Sequence, residues 1–271
     1  MNTTEPQIAY SECYAQPFSR LYFGDCIEIM SQIESKSIDM ILCDLPYGTT
    51  ANSWDVIIPF ELLWEQYERI IKDNGTIALF GSEPFSSLLR VSNMKLYKYD
   101  WIWYKNLPTN FLNARKQPLR TYETISIFCK GVNDYYPLLE IKPKSNIRRN
   151  PHIFNQTNNG TYGKINEGYN RFENREIPDD KNYPCNVIEL DIEHRTKRIH
   201  PTQKPVSIME YLIKTYTKEN ETILDNTMGS GTTGIACHKQ KRNFVGIEKD
   251  EQYFNMAKKR IETHNVQSEL F

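Results

Sequence analysis

The residues "ETILDNTMGSGTTGIACHKQKRNFVGIEKD" (221–250) constrain the fold more than any other part of the chain. An apolar run from Thr222 to Leu224 gives way to Gly229, Gly231 and Gly234. A helix-like stretch follows, then a second apolar run that ends at Glu248. Glycines at such a juncture let the chain turn tightly and let a ligand approach the backbone. The freed amides at the start of the helix favour an anionic or electron-rich group. This is a G-x-G-x-x-G match between strand and helix, with an acid closing the next strand at about the ribose-binding distance. It predicts an α/β sheet with helices on its faces.

The rest of the chain extends that pattern in two stretches and interrupts it in one. From Arg20 to about Lys130, "SIDMILCD" and "GTIALFG" read as strands and "FELLWEQYERIIKDNG" as the helix between them. In that helix Leu63, Tyr67, Ile70 and Ile71 recur at helical spacing, and Asn74-Gly75 are the expected stop. Pro84 is placed to open another helix, and "YDWIWYK" and "YETISIFCK" read as two more strands. Residues 131–199 carry no such alternation. They include eight asparagines between Asn146 and Asn174, which reads as an inserted lobe. From residue 200 to about 264 regularity returns: a helix opened by Pro205, the glycine unit, and a final helix "EQYFNMAKKRIETH", with 265–271 left as a tail. The alternation implies a mainly parallel sheet.

With 271 residues, 39% of them hydrophobic and 25% charged, the chain is long and apolar enough to bury a sizeable core. No apolar run reaches membrane-spanning length and the start "MNTTEPQ" is polar, so a cytoplasmic protein is expected. Cysteines 13, 26, 43, 129, 185 and 237 form no Cys-x-x-Cys pair. That argues against a metal site or a disulfide framework. The net charge of −1 gives no global attraction to nucleic acid, but "IKPKSNIRRN" and "HRTKRIHPTQK" are locally basic, and a basic groove suffices to hold a phosphate backbone.

Two nucleotides suit the glycine unit. NAD needs a second mononucleotide half, and residues 249–271 leave room for one helix and a tail. S-adenosylmethionine needs one ribose, one adenine pocket and a place for its methionine end, which suits the available chain better. No Lys-Ser or Lys-Thr follows the glycines, which excludes the phosphate loop of ATPases.

Read in order, "LYFGDCIEIM", "DLPYG", a polar middle, "HPTQKP", "LDNTMGSGTTG" and "VGIEKD" resemble the amino-group (N6-adenine/N4-cytosine) DNA methyltransferases of the permuted β order. There the DPPY motif comes first and the cofactor loop last. The resemblance covers nearly everything from Arg20 to Ile261 outside the middle lobe. It implies a Rossmann-like S-adenosylmethionine-dependent methyltransferase sheet with an inserted recognition lobe. It also implies methyl transfer to the N6 amine of adenine in double-stranded DNA, within a restriction-modification setting. Two departures stand out: Leu45 where the family usually has proline, and Asn226-Thr227 where it usually has Pro-Phe.

The resemblance gives "DLPY" its expected role. The exocyclic amine of a base is a poor nucleophile, because its lone pair is delocalised into the ring. Hydrogen bonds to both amine protons from Asp44 and the Leu45 carbonyl would draw the nitrogen toward tetrahedral geometry and aim it at the methyl group. Pro46 fixes the turn, and Tyr47 offers a face on which a flipped base stacks. The family's cofactor contacts fall here on Asp25, Cys26, Asp44, Thr202, Lys204, Asp225, Gly229, Ser230, Gly231, Thr232, Thr233 and Glu248. Arg115, Lys116, Arg120, Arg148 and Arg149 are the expected DNA contacts, and no residue is assigned to a metal.

Adenine is preferred because the aspartate form of the motif usually accompanies adenine in this family. N4-cytosine methylation, RNA methylation and an NAD-dependent oxidoreductase are the alternatives. Pro184-Cys185 invites a cytosine-C5 reading, but it would leave Asp44 idle. Beyond DNA, the expected partners are a second copy of the chain and a sliding clamp. The clamp would be bound through Gln267, Leu270 and Phe271, which match the Gln-x-x-Leu-Phe docking pattern.

Overall fold

The computed structural model describes residues 10–13, 17–49, 55–141, 178, 180–191 and 203–268. They fall into two compact units, one built from residues up to Tyr136 together with those from Asn186 onward, the other from 137–185. In chain order the first unit contains β1 (Tyr10–Cys13), β2 (Ser19–Phe23), α1 (Cys26–Met30), β3 (Ile38–Cys43), α2 (Phe60–Ile70), β4 (Ile71–Gly81), α3 (Phe85–Ser92), β5 (Tyr97–Thr109), a 3-10 turn at Phe111–Asn113 and β6 (Arg120–Phe128). After the second unit, whose described part is the two-stranded ladder of β7 (Glu140–Ile141) and β8 (Lys181–Asn182), it resumes. The remaining elements are β9 (Val187–Glu189), α4 (Val206–Tyr216), β10 (Thr222–Asp225), α5 (Thr232–Lys239), β11 (Asn243–Glu248) and α6 (Glu251–Ser268).

Nine strands form one sheet in the order β1-β2-β11-β10-β3-β4-β6-β5-β9. The five from β2 to β4 are parallel neighbours, and β6 runs antiparallel to both β4 and β5. Alternation along the strands divides the core. Met40 and Leu42 face the cluster under α4, α5 and α6, whereas Ile41 and Cys43 face the cluster under α1, α2 and α3. A strand buried on both faces reads as the continuous apolar run seen in "MILC".

The parallel pair β3 and β10 lies at the centre of the sheet. From β3 the chain moves outward to β4 on one side, while β10 is followed by β11 on the other. Loops leaving two such neighbouring carboxyl ends part company and open a crevice, the usual ligand position in open α/β sheets.

Three details depart from the sequence reading. Helix α2 stops at Ile70, not at Asn74-Gly75, which lie within β4. The register jump between Ile38 and Met40 against Ile71 and Thr76 leaves 72–75 bulged, and a Cβ on Gly75 would stand 2.8 Å from the Asp39 carbonyl. The break in the α/β pattern is also narrower than 131–199, because β9 pairs with β5 at the sheet's edge. Finally, β1 adds an antiparallel edge strand that the sequence did not announce. Among the described residues no helix is long and apolar enough to cross a membrane.

Candidate active site

A cavity of about 620 Å³ opens at the carboxyl ends of β3 and β10. That is within the usual range for small-molecule sites, about 300–1,000 Å³. Its wall brings together residues far apart in sequence: Asp25 and Cys26, the Asp44–Tyr47 turn, Arg120, Lys204, Asp225, Gly229, Ser230, Thr232, Thr233 and Glu248.

The glycine unit supplies one end. Gly229 and Gly231 hold left-handed backbone, φ 49° and 74°, with Gly231 as the N-cap of α5. Gly231 is not part of the cavity wall, contrary to expectation. A Cβ there would meet Ala257 and Ile261 of α6 at 3.1 Å, so its glycine serves the turn and the packing of α6. Glu248 is held by the Gly229 N–H on one oxygen and the Asp250 N–H on the other, both at 2.9 Å. A carboxylate has about four lone-pair positions, so capacity remains for a diol hydroxyl beside these backbone donors. Burial pushes the Glu248 carboxyl upward, against the pull of those backbone donors.

Asp225, at the end of β10, accepts from the Thr233 hydroxyl at 2.6 Å and the Thr227 N–H at 3.1 Å. Burial still pushes it up to about 7. Asp25 caps α1, its Oδ1 accepting from the Ile27 N–H at 2.8 Å while the residue faces the cavity. Cys26 is an apolar wall residue whose thiol burial pushes up to about 11.

Asn226 and Thr227 occupy the place of the family's Pro-Phe. The Thr227 hydroxyl donates to the Asp44 carbonyl at 3.2 Å, tying the two loops together. The Asn226 side-chain oxygen accepts from the Tyr67 hydroxyl at 2.5 Å and from the Cys43 thiol at 2.8 Å. Its amide nitrogen is buried beside the Cys26 thiol, whose pKa it pulls down against the effect of burial. The fit to a nucleoside rests on the donor and acceptor set of the wall: the Glu248 carboxylate for a diol, and the apolar Cys26 beside Asp25 for a ring.

The "DLPY" turn supplies the other end. Both oxygens of Asp44 are engaged: Oδ1 accepts from the Tyr47 hydroxyl at 2.6 Å, and Oδ2 pairs with Lys204 Nζ at 2.5 Å. Burial, then the nearby Asp44 charge, raises the Tyr47 phenol well above its ordinary range, so it stays a neutral donor. Its ring stacks on Phe85, centroids 4.8 Å apart and planes inclined 26°. Asp55 braces the same loop by accepting from the Gly48 and Thr49 N–H groups at 2.8 and 2.9 Å.

Lys204 also contacts Glu123 of β6 at 3.2 Å, and Glu123 in turn accepts from Lys105 of β5 at 2.8 Å. Burial alone works against the Lys204 charge, yet Asp44 and Glu123 outweigh it and push its pKa up to about 12. Burial likewise opposes the Glu123 charge, and the two lysines hold its carboxyl below the ordinary range. Glu123 and Lys105 were missed in the sequence. The acid at the end of "TYE" was the one visible sign, and nothing linked it to a lysine 81 positions later.

Arg115 and Lys116 lie exposed on the turn between β5 and β6, away from the cavity wall. Arg120 reaches the wall and donates to the Ser82 hydroxyl. Thr202, Arg148 and Arg149 lie outside the described residues, as do Leu270 and Phe271 of the tail.

Known proteins are similar to this chain in sequence and fold. A family model described as DNA methylase matches residues 38–259. The type II methyltransferase M2.LlaDCHI of Lactococcus lactis subsp. cremoris is 28% identical over 92% of this chain and 91% of its own length. M.HinfI of Haemophilus influenzae is 28% identical over 88% of this chain and 67% of its own. The structure of an M1.HpyAVI–SAM complex superposes with a TM-score of 0.59 at 26% identity, covering 90% of this chain and 98% of that one. The PvuII cytosine-N4-specific DNA methyltransferase, 13% identical with a TM-score of 0.62 over 92% of this chain and 90% of its own, shares the fold. With the family model spanning both the Asp44 turn and the glycine unit, this chain belongs to the amino-group (N6/N4) DNA methylases.

Proposed function

We propose that this DNA methylase transfers a methyl group from S-adenosylmethionine to the N6 amine of adenine in double-stranded DNA. One observation carries the reading: Asp44, the acid of a strand-end turn, and Glu248, a carboxylate held beside the glycine unit, line a single cavity. Bound S-adenosylmethionine supplies an electrophilic methyl on a sulfonium. Glu248 would hold the ribose, the Asp25 and Cys26 wall would receive the adenine, and Lys204 would meet the carboxylate. Thr202 is assigned beside Lys204 on the resemblance alone.

At the target, Asp44 accepts one amine proton and the Leu45 carbonyl accepts the other, which orients the lone pair. Thr227 fixes the Asp44 backbone while this happens. As the amine becomes cationic, Asp44 stabilises the charge and is the nearest base for the proton that must leave. A flipped base stacks on the face of Tyr47 turned away from Phe85. M2.LlaDCHI and M.HinfI are both named type II methyltransferases, which supports a restriction-modification setting.

Arg115, Lys116 and Arg120 belong to a stretch, 106–122, with no acidic residue, which supports their role on phosphates; Arg148 and Arg149 are assigned there on charge alone. Residues 131–199 are proposed as the site reader. The tail's Gln-x-x-Leu-Phe pattern is proposed as a weak clamp contact, which an intact protein without clamp binding at tens of micromolar would refute. Self-association is a separate question for sedimentation.

Sequencing of DNA from a host expressing the enzyme, with modified-base detection, is the deciding experiment. N6-methyladenine at a fixed site, absent with Asp44→Ala, is the expected result. N4-methylcytosine would shift the target base, and no modification would overturn the reading. Glu248→Ala should weaken S-adenosylmethionine binding by about 1.5–3 kcal/mol, the worth of hydrogen bonds to a charged acceptor. An unchanged dissociation constant by calorimetry would place the ribose elsewhere.

A further inference from the structure

The geometry points to Glu123 as a positioning residue that makes capture of the target amine depend on the carboxylate of the cofactor, through Lys204. This inference rests on the proposed function. It begins from a chain of four charges that the methyl-transfer step alone does not require.

The chain runs Lys105, Glu123, Lys204, Asp44, with contacts of 2.8, 3.2 and 2.5 Å. The signs alternate and the four charges sum to zero. The side chains are largely removed from solvent, at 4%, 16%, 9% and 23% exposure in that order. Such a chain is a poor way to gain stability, because desolvation of each ion offsets most of the attraction. Its placement is informative instead, since all four residues line the cavity.

In this arrangement Lys204 neutralises the acceptor on which the target amine depends. Asp44 Oδ2 holds the ammonium while Oδ1 holds the Tyr47 hydroxyl. A base amine entering now meets a carboxylate whose charge is already compensated. The Glu123 charge draws Lys204 back from the β6 side through an ion contact without hydrogen-bond geometry, and Lys105 fixes Glu123 from β5. An ammonium has three donors. A second carboxylate brought within reach would share Lys204 with Asp44, and Asp44 would become the stronger acceptor. Glu123 sets that division: with its charge removed, Lys204 collapses onto Asp44 or onto the incoming anion, and the two sites lose their connection. Coupling of this kind is reciprocal, so target amine and cofactor carboxylate should each strengthen the other's binding.

The test reads binding, not turnover. Duplexes carrying the site identified by sequencing are prepared with either adenine or purine, which lacks the amine, at the target position. The ratio of their dissociation constants is the amine's contribution. It is measured with the full chain alone, with S-adenosylhomocysteine, and with 5′-methylthioadenosine, which has the nucleoside but no carboxylate. S-adenosylhomocysteine should raise the ratio about fivefold or more over the free enzyme, within the usual range of coupling between sites. Methylthioadenosine should leave it unchanged. Glu123→Gln should erase the difference between the two nucleosides while keeping the methylthioadenosine dissociation constant, which also certifies a folded pocket. Lys105→Met, acting one residue further back, should reduce the difference.

Equal ratios with both nucleosides in the wild type would overturn the inference, and so would an undiminished difference in Glu123→Gln. If the wild type does not methylate the duplex at all, the proposed function fails instead. A methylating enzyme without the coupling refutes only the role of Glu123.

Discussion

At the scale of single residues, Tyr47 is the position where geometry changes an expectation. A ring that only stacks on a flipped base would tolerate loss of its hydroxyl. Here that hydroxyl donates to Asp44 at 2.6 Å and so helps aim the catalytic carboxylate. A hydrogen bond to a charged group is worth about 1.5–3 kcal/mol. Tyr47→Phe should therefore lower kcat by about ten- to a hundredfold, with the dissociation constant for target duplex nearly constant. A kcat within twofold of wild type would return Tyr47 to a stacking role alone. Asp44 itself was legible because an acid, a proline and an aromatic ended a buried run, an expensive choice for an ordinary turn. Glu123 was not. Its meaning comes from two strands, a strand-end turn and a loop meeting in space, and no spacing along the chain encodes that encounter.

Among elements, the glycine unit shows three glycines held for different reasons. Gly229 and Gly231 need left-handed backbone, whereas Gly234 needs room. A Cβ on Gly234 would come within 2.6 Å of Ile261 and 2.8 Å of Phe244, so α5 lies close against β11 and α6 because nothing projects there. Overpacking of this kind typically costs about 1–3 kcal/mol. Gly234→Ala should lower the urea midpoint accordingly, and an unchanged midpoint would mean that α6 moves aside freely. The long alternating elements could be read because burial on both faces imposes a pattern. The short edge strands β1 and β9 could not, since an edge strand of three or four residues has little buried face to mark it. The antiparallel insertion of β6 between β4 and β5 was likewise hidden, because propensity does not state pairing order. The turn carrying Arg115 and Lys116 joins β5 to β6, and Arg120 opens β6 at the cavity. Replacing both Arg115 and Lys116 by alanine should reduce the slope of log K against log salt by about 1.8, from about 0.9 per phosphate contact. An unaltered slope would remove that turn from the DNA interface.

Across the whole molecule, a buried acid at the end of β10 and a half-buried histidine on α5 set opposing pH dependences. Burial pushes Asp225 up to about 7 from 3.8, with hydrogen bonds from Thr233 and Thr227 resisting. Between those values the folded protein holds more protons than the unfolded chain, so this group's contribution to stability falls as pH rises. Burial, with the neighbouring His264 adding to it, pushes His238 down to about 4 from 6.5. Its ring nitrogen Nε2 lies 2.6 Å from the Ser19 hydroxyl, joining α5 to β2. In that window the folded protein holds fewer protons, so the His238 contribution rises with pH. Each slope is about 1.4 kcal/mol per pH unit where only one of the two states is protonated. The windows overlap from about pH 4 to 6.5, and there the two contributions should largely offset each other. Asp225→Asn should then tilt the stability curve upward with pH relative to wild type, and His238→Gln should tilt it downward. Urea titrations between pH 4.5 and 6.5, followed by tryptophan fluorescence, would measure both, because Trp64, Trp101 and Trp103 are buried in the core of the main unit. If either variant's curve runs parallel to the wild type's, the group it replaces does not titrate in this window and its burial is not what sets its charge.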